Sequence, residues 1–435
     1  MIIRTVSKLG HLSFTLEESG SALVRALKRA AKFPSYRNHF ERCGLDVDVL
    51  SAQSARDALA LLTPFQKGDY PGLQVEVFRA LQEHHFMTDW SSGSTTAPIL
   101  KFTSTRDEEV ESRATELAFR ACGLSAGDSV ACLDVGASDI YLFYAKVLSS
   151  LGIVAVPFIK ATNNYGSAVE TLKRIDPVAL ISVPSVLQHC IDPLLKCQAD
   201  KGLTSLRKVI YIGEPMDTRL RKRIEHDFGA LCYSFYGTTE IGMVGIECQH
   251  SGGIHVPLDL LVPTLLPHGA ARTVRRVSDT RYEGVVAWTS LGFRDQPLIL
   301  YCVNDLVQLD IAECACGSAL PRMYFRRRTD HTFSLFGLTF TYDLFQTTVH
   351  QALGDSAHFE LRVERSGCGA SSLSSERLVF VLDERHMPKL QLCKRRVLNI
   401  YPLQDFVERG LLELSFDFVP RQYFHCRKTR SLKIT

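Results

Sequence analysis

Val130-Ala131-Cys132-Leu133-Asp134-Val135-Gly136 opens the stretch that decides the fold. A short apolar run ending at a glycine is the pattern of a strand buried on both faces. Helix-forming residues follow from Ile140 to Leu151, and a second apolar run spans Ile153 to Phe158. The alternation continues with a helix over Val169–Arg174, a strand over Val178–Val183, a helix over Ser185–Lys196, a strand over Val209–Ile212, a helix over Asp217–His226 and a strand over Leu231–Phe235. Each parallel strand needs a crossover that travels back along the sheet, so this order predicts a parallel sheet with helices on its faces.

The flanking regions read differently. Residues 1 to 90 are largely helical in character, with apolar spacing near 3.6 over Ala22–Ala31 and Ala55–Leu62, interrupted by Pro64 and Pro71. Beyond Gly242 the helical signal thins, and Gly284–Thr289 and Leu298–Tyr301 read as strands of a smaller β subdomain over about 243–325. After the basic run Arg326–Arg328, residues 332 to 435 mix a strand at Leu378–Leu382 with a helix over Val397–Phe406. The expected architecture is α/β. A large N-terminal domain, residues 1–328, holds the parallel sheet and the β subdomain. A small mobile α+β domain, residues 329–435, follows it.

Bulk properties narrow the function. A chain of 435 residues is too long for one ordinary core, so two or three domains are expected. A formal net charge of +3 argues against nucleic acid, whose phosphates call for clustered positive charge. No segment has the run of ~18 apolar residues that a membrane span needs, and Met1–Gly10 lacks a signal peptide's apolar core, so a cytoplasmic location is expected. The 13 cysteines are odd in number and scattered, which is no secreted disulfide framework.

Four stretches carry candidate chemistry. In Ser91-Ser92-Gly93-Ser94-Thr95-Thr96-Ala97-Pro98, hydroxyls and a glycine suit a loop that wraps phosphates; the alternative is a polar turn. Tyr236-Gly237-Thr238-Thr239-Glu240 follows the final parallel strand, at the carboxyl edge where such sheets bind ligands. There Glu240 offers oxygen to Mg2+, Thr239 suits a phosphate and Tyr236 a purine; the alternative is an N-capped helix start. Gly213-Glu214-Pro215, after the neighbouring strand, is a candidate adenine wall or an ordinary strand-to-helix turn. Asp305 could accept both hydroxyls of a ribose or serve as a turn aspartate.

In order and spacing these stretches resemble the adenylate-forming superfamily, in its phenylacetate–CoA ligase branch. That family's phosphate loop, T/S-S-G-T-T-G-x-P, is similar to Ser91–Pro98. Its Y-G-x-T/S-E is met by Tyr236–Glu240, and its G-A-E-P is approximated by Gly213-Glu214-Pro215. Its Y-R-T-x-D-L is met at Tyr301, Asp305 and Leu306. Tyr36-Arg37-Asn38-His39-Phe40 with Gly44-Leu45-Asp46, and Cys314-Ala315-Cys316-Gly317 before Pro321-Arg322, are also typical of the branch. The hinge motif resembles Arg327-Arg328-Thr329-Asp330-His331, and Lys428 with Arg430 takes the place of the terminal lysine stretch. Thr96 stands where glycine is usual, Ala97 where a basic residue is common, Cys302 in place of arginine and Arg427 in place of glycine.

The resemblance implies an AMP-forming ligase. ATP would lie against Ser91, Ser92, Gly93, Ser94, Thr95 and Thr96, with Gly213, Glu214, Pro215, Tyr236, Gly237, Thr238, Asp305 and Arg328 around its nucleoside. Glu240 would hold Mg2+, and Thr239 and Lys428 would act beside it. A carboxylic acid would become an acyl-adenylate and pass to the thiol of coenzyme A or of an acyl carrier protein's pantetheine. Phe143, Tyr144 and Phe235 would suit an aromatic acid, and equally a core. Transfer to another protein, as in acyl-protein synthetases, is the alternative within ligases, as is a deazaflavin-adenylating relative. A degenerate nucleotide-binding protein is the alternative outside them. The branch also carries C-x6-H and C-x-C at the places of Cys248, His255, Cys314 and Cys316. Three thiolates and an imidazole suit a structural Zn2+. His250 rivals His255, and unpaired cysteines are the alternative.

Overall fold

The computed structural model describes residues 1–82, 86–90, 100–133, 138–158, 165–184, 186–187, 194–195, 203–216, 218–248, 250–269, 271–329, 332–336, 338–354, 357–365, 376–420, 423 and 431–434. Five parallel strands lie in the order Leu231–Thr238, Lys208–Ile212, Ala179–Ser182, Ser129–Leu133 and Val154–Phe158. Their crossovers include the helices Ser138–Ser150, Tyr165–Ile175 and Thr218–Phe228, as the apolar runs predicted. Val130, Ile181 and Ile210 are fully enclosed, because helices cover both faces of the sheet.

At its Leu231–Thr238 edge the sheet turns antiparallel. Gly242–Cys248, Ser251–His255, Arg322–Arg328, Tyr301–Asp310, Arg281–Ser290 and Leu261–Leu266 pair in that order and continue the same hydrogen-bonded sheet. The strand expected at Gly284–Thr289 lies within Arg281–Ser290, whereas Leu298–Leu300 is not a strand and the next one starts at Tyr301; these antiparallel strands continue the parallel sheet instead of forming a separate subdomain sheet. The far edge is a hairpin, Ile2–Val6 with Leu12–Leu16, where a largely helical start was expected. Alternate residues Leu12 and Phe14 are buried, and Gly10 turns the hairpin at φ +76 with no room for a Cβ beside the Arg272 carbonyl.

Helices Gly20–Ala30, Pro34–Arg42, Ser54–Leu61 and Tyr70–Leu81 pack their buried faces with that hairpin and with Trp288 and Tyr301 in one core. Pro71 does not break the last of them; it sits in its first turn, where a missing N–H costs nothing.

From Phe333 onward another core forms around Phe345, Leu361 and Phe380. It is built on a sheet ordered Leu412–Val419, Glu376–Asp383, Phe359–Arg365 and Ser431–Ile434. The single helix expected over Val397–Phe406 is two, Leu390–Leu398 and Leu403–Glu408, since Pro402 cannot continue the first. Among the described residues no helix is long and apolar enough to cross a membrane.

Candidate active site

Ile212 and Phe235 are register partners on adjacent parallel strands, so Gly213-Glu214-Pro215 leaves the sheet beside Tyr236 at its carboxyl edge. Gly213 takes φ +79, which glycine tolerates, and Glu214 is buried there. The Tyr236 stretch does not begin a helix. The strand runs on to Thr238, turns through Thr239, Glu240 and Ile241, and returns as Gly242–Cys248. Two glycines make the tight return feasible. A Cβ on Gly237 would lie 2.6 Å from the Gly242 carbonyl oxygen, and Gly242 itself adopts φ +75. The Thr238 hydroxyl accepts the Ile241 N–H at 3.3 Å and closes the turn.

Two tyrosine–carboxylate bonds then cross between this turn and the Tyr301–Asp310 strand. Tyr236 donates its hydroxyl to Asp305 Oδ2. Tyr301 donates to Glu240 Oε1 at 2.8 Å. Burial first, then the neighbouring carboxylate, raises both phenols well above the ordinary tyrosine value, so both stay protonated donors. Arg328 completes the group: its guanidinium lies 3.5 Å from Asp305 Oδ1 and donates to the Val303 carbonyl at 3.1 Å. Thr329, the next residue, donates its N–H and hydroxyl to the Asn304 carbonyl at 2.8 and 2.9 Å. Tyr236, Thr238, Thr239, Glu240, Asp305 and Arg328 are thus one neighbourhood, next to Gly213–Pro215.

The loop Ser91–Thr96 and Lys428 lie outside the described residues. The strands flanking that loop, Phe86–Trp90 and Leu100–Ser104, pair as a hairpin with Trp90 opposite Leu100. Lys101 on the second strand forms a buried ion pair with Glu111 at 2.7 Å, and a Cβ on Gly242 would fall 2.2 Å from the Glu111 carboxylate. This pair packs on the Glu240 turn and escaped sequence reasoning, because nothing local marks Lys101 or Glu111. Tyr301 stands in the sequence only as a motif position, because its hydroxyl's partner, Glu240, lies in a turn between two other strands.

The aromatic rings proposed for an acid pocket are placed otherwise. Tyr144 and Phe235 pack with Phe119 at centroid distances of 5.9, 6.2 and 5.6 Å and are buried in the core of the parallel sheet.

The four candidate metal ligands do converge. Ligand atoms of Cys248, His255, Cys314 and Cys316 all lie within 4.8 Å of one another. Cys248 Sγ is 3.7 Å from Cys314 Sγ, and Cys316 Sγ is 3.5 Å from His255 Nε2. A tetrahedral zinc with ordinary Zn–S and Zn–N bonds sets such ligands roughly 3.5–3.8 Å apart. Gly317, at φ +81, turns the Cys314–Ser318 loop so that both thiols reach the centre. His255 rather than His250 joins this group.

Residues 109–264 match the family model for AMP-binding enzymes. The phenylacetate–coenzyme A ligase of Thermus thermophilus is 24% identical over 223 residues, covering 50% of this chain and 48% of that one. The phenylacetate–coenzyme A ligase of Pseudomonas putida is 25% identical over 289 residues, covering 63% of this chain and 62% of that one. The chain thus spans about half to three-fifths of the length of these two relatives. A crystal structure of 2-hydroxyisobutyryl-CoA ligase with 2-HIB-AMP and CoA shares the fold. Its TM-score is 0.74 at 19% identity, covering 95% of this chain and 88% of that one.

Proposed function

We propose that this chain is an adenylate-forming enzyme of the phenylacetate–CoA ligase-like branch, which activates a carboxylic acid with ATP and transfers the acyl group to a thiol; the match of residues 109–264 to the AMP-binding enzyme model and the likeness to phenylacetate–CoA ligases support it. The observation that carries the reading is the convergence of Tyr236, Glu240, Asp305 and Arg328 at the carboxyl edge of the parallel sheet. A buried aspartate between a phenol and a guanidinium suits the hydroxyls of a ribose. Gly213-Glu214-Pro215, one strand over, suits the base. Glu240, a hard oxygen donor with one oxygen held by Tyr301, suits Mg2+, which neutralises phosphate charge when bound. We assign Thr238 and Thr239, in the same turn, to the phosphate oxygens, supported by their place beside Glu240.

In this reading the substrate carboxylate attacks the α-phosphorus of ATP, a new O–P bond forms and pyrophosphate departs. The protein's task is placement and charge neutralisation. Ser91–Thr96 would wrap the departing phosphates, and Lys428 would bridge the two approaching anions. A thiol then displaces AMP from the acyl carbon. Coenzyme A is the acceptor we propose, with a carrier pantetheine as the variant. We place the domain division at residue 328, which is supported by the separate core that begins at Phe333. We assign the Cys248, His255, Cys314 and Cys316 cluster to structural Zn2+, supported by its ligand spacing. A cytoplasmic setting suits the free thiols of these cysteines. We propose an aromatic acid as substrate, supported by the likeness to phenylacetate–coenzyme A ligases; of the three rings considered for it, Tyr144 and Phe235 are core residues and Phe143 is partly buried against that core.

ATP-dependent pyrophosphate release across a panel of acids tests the first half-reaction. Thioester formation with free coenzyme A tests the second. Absence of pyrophosphate release with every acid, despite ATP binding, would make the chain a nucleotide binder.

A further inference from the structure

Glu240 is buried at the tip of its turn, and among the described residues its hydrogen-bond partner is Tyr301, on Oε1 alone. Tyr301 is itself 0% exposed and rigidly set. Its strand is bonded to Phe65 on both sides: Phe65 N–H donates to the Leu300 carbonyl at 3.0 Å, and Cys302 N–H donates to the Phe65 carbonyl at 2.9 Å. Its ring packs on Tyr70 at 5.3 Å. Tyr70 in turn accepts from the Gln296 amide, whose oxygen takes the Phe102 N–H at 3.2 Å. Asp107 holds the same loop by accepting the N–H groups of Arg294, Asp295 and Gln296 at 2.6, 3.0 and 3.0 Å. Phenylalanine would fill the Tyr301 site equally well by shape. The hydroxyl adds one thing: it fixes which carboxylate oxygen of Glu240 faces the protein.

We propose that Tyr301 is a positioning residue that holds Glu240 Oε1 and thereby presents Oε2 as a single, pre-aimed oxygen to the cation that accompanies the nucleotide. This deepens the reading of Glu240 as the Mg2+ ligand and rests on it. Partners of this kind orient a ligand, and losing one weakens metal binding by about tenfold or more.

The test is calorimetric titration of the whole chain with a non-hydrolysable ATP analogue at graded Mg2+, for wild type, Tyr301→Phe, Glu240→Gln and the double variant. Tyr301→Phe is expected to raise the half-saturating Mg2+ by about tenfold and to leave Mg2+-free analogue affinity unchanged. It should add nothing in the Glu240→Gln background. If Glu240→Gln alters the Mg2+ dependence but Tyr301→Phe does not, the positioning role is overturned while the ligand reading stands. If neither alters it, the ligand reading falls first. Should Tyr301→Phe fail to fold, a fluorinated tyrosine at 301 keeps the shape and changes the donor. An unshifted Mg2+ dependence there overturns the proposal, and a shifted one supports it.

Discussion

Cys248 and Cys314 are 66 residues apart in the chain, and their sulfur atoms are 3.7 Å apart. With His255 and Cys316 they frame a space of zinc size. Metal analysis of purified protein should find about one zinc per chain, and strong chelators should lower the melting temperature. Cys314→Ser should do the same without chelator. Zinc-free protein that melts unchanged would remove the metal from this centre.

Glu240→Ala and Lys428→Ala should each slow acid-dependent pyrophosphate release by at least about a hundredfold, the usual scale for losing one group that stabilises developing charge. Circular dichroism should show both variants folded. Full rates in both would mean that the roles assigned here are wrong.

Asp305 is held between Tyr236 and Arg328. If the hydroxyls of a ribose donate hydrogen bonds to this carboxylate, Asp305→Ala should weaken ATP binding by about tenfold to a hundredfold, the range for hydrogen bonds to a charged group. Equilibrium binding of ATP would read it. Unchanged affinity places the ribose elsewhere.

Gly242 has both a positive φ of +75 and the Glu111 carboxylate 2.2 Å from where a Cβ would stand. Gly410 has φ +67 and open space. Gly410→Ala should cost about 1–2 kcal/mol of backbone strain, and Gly242→Ala measurably more, because the Lys101–Glu111 pair must also move. Urea unfolding compares the two, and equal costs would contradict the packing of Glu111 on the turn.

The side-chain hydrogen bonds of Arg385 hold Asp383 below the ordinary aspartate value of 3.8. A carboxylate with a lower pKa when folded stabilises the fold above its unfolded pKa, and that contribution fades as the pH falls through the folded value. Asp383→Asn should therefore lose melting temperature at neutral pH and show a shallower fall from about pH 6 to about pH 3. Parallel curves for variant and wild type would dismiss the coupling.

The parallel sheet was legible because Val130–Leu133, Ala179–Ile181 and Val209–Ile212 are apolar on both faces, a pattern that solvent-facing strands cannot afford. The N-terminal hairpin was not, because strand pairing between Leu12–Leu16 and Leu261–Leu266 is a contact across some 250 residues. The motif stretches showed which residue types to expect at the site. They were silent on the bonds of Tyr301 to Glu240 and Tyr236 to Asp305, since a hydroxyl's partner depends on which strands lie side by side.

Local order was set by the sequence alone: apolar runs, and glycines where the chain must turn back sharply. Tertiary structure decided the rest. It chose a hairpin over a helix start at Thr239, and the core for Tyr144 and Phe235. It also joined the antiparallel strands to the parallel ones as one sheet. Propensity acts over a few residues, whereas burial and hydrogen-bond pairing are settled only when distant segments meet and each buried polar group must find its partner.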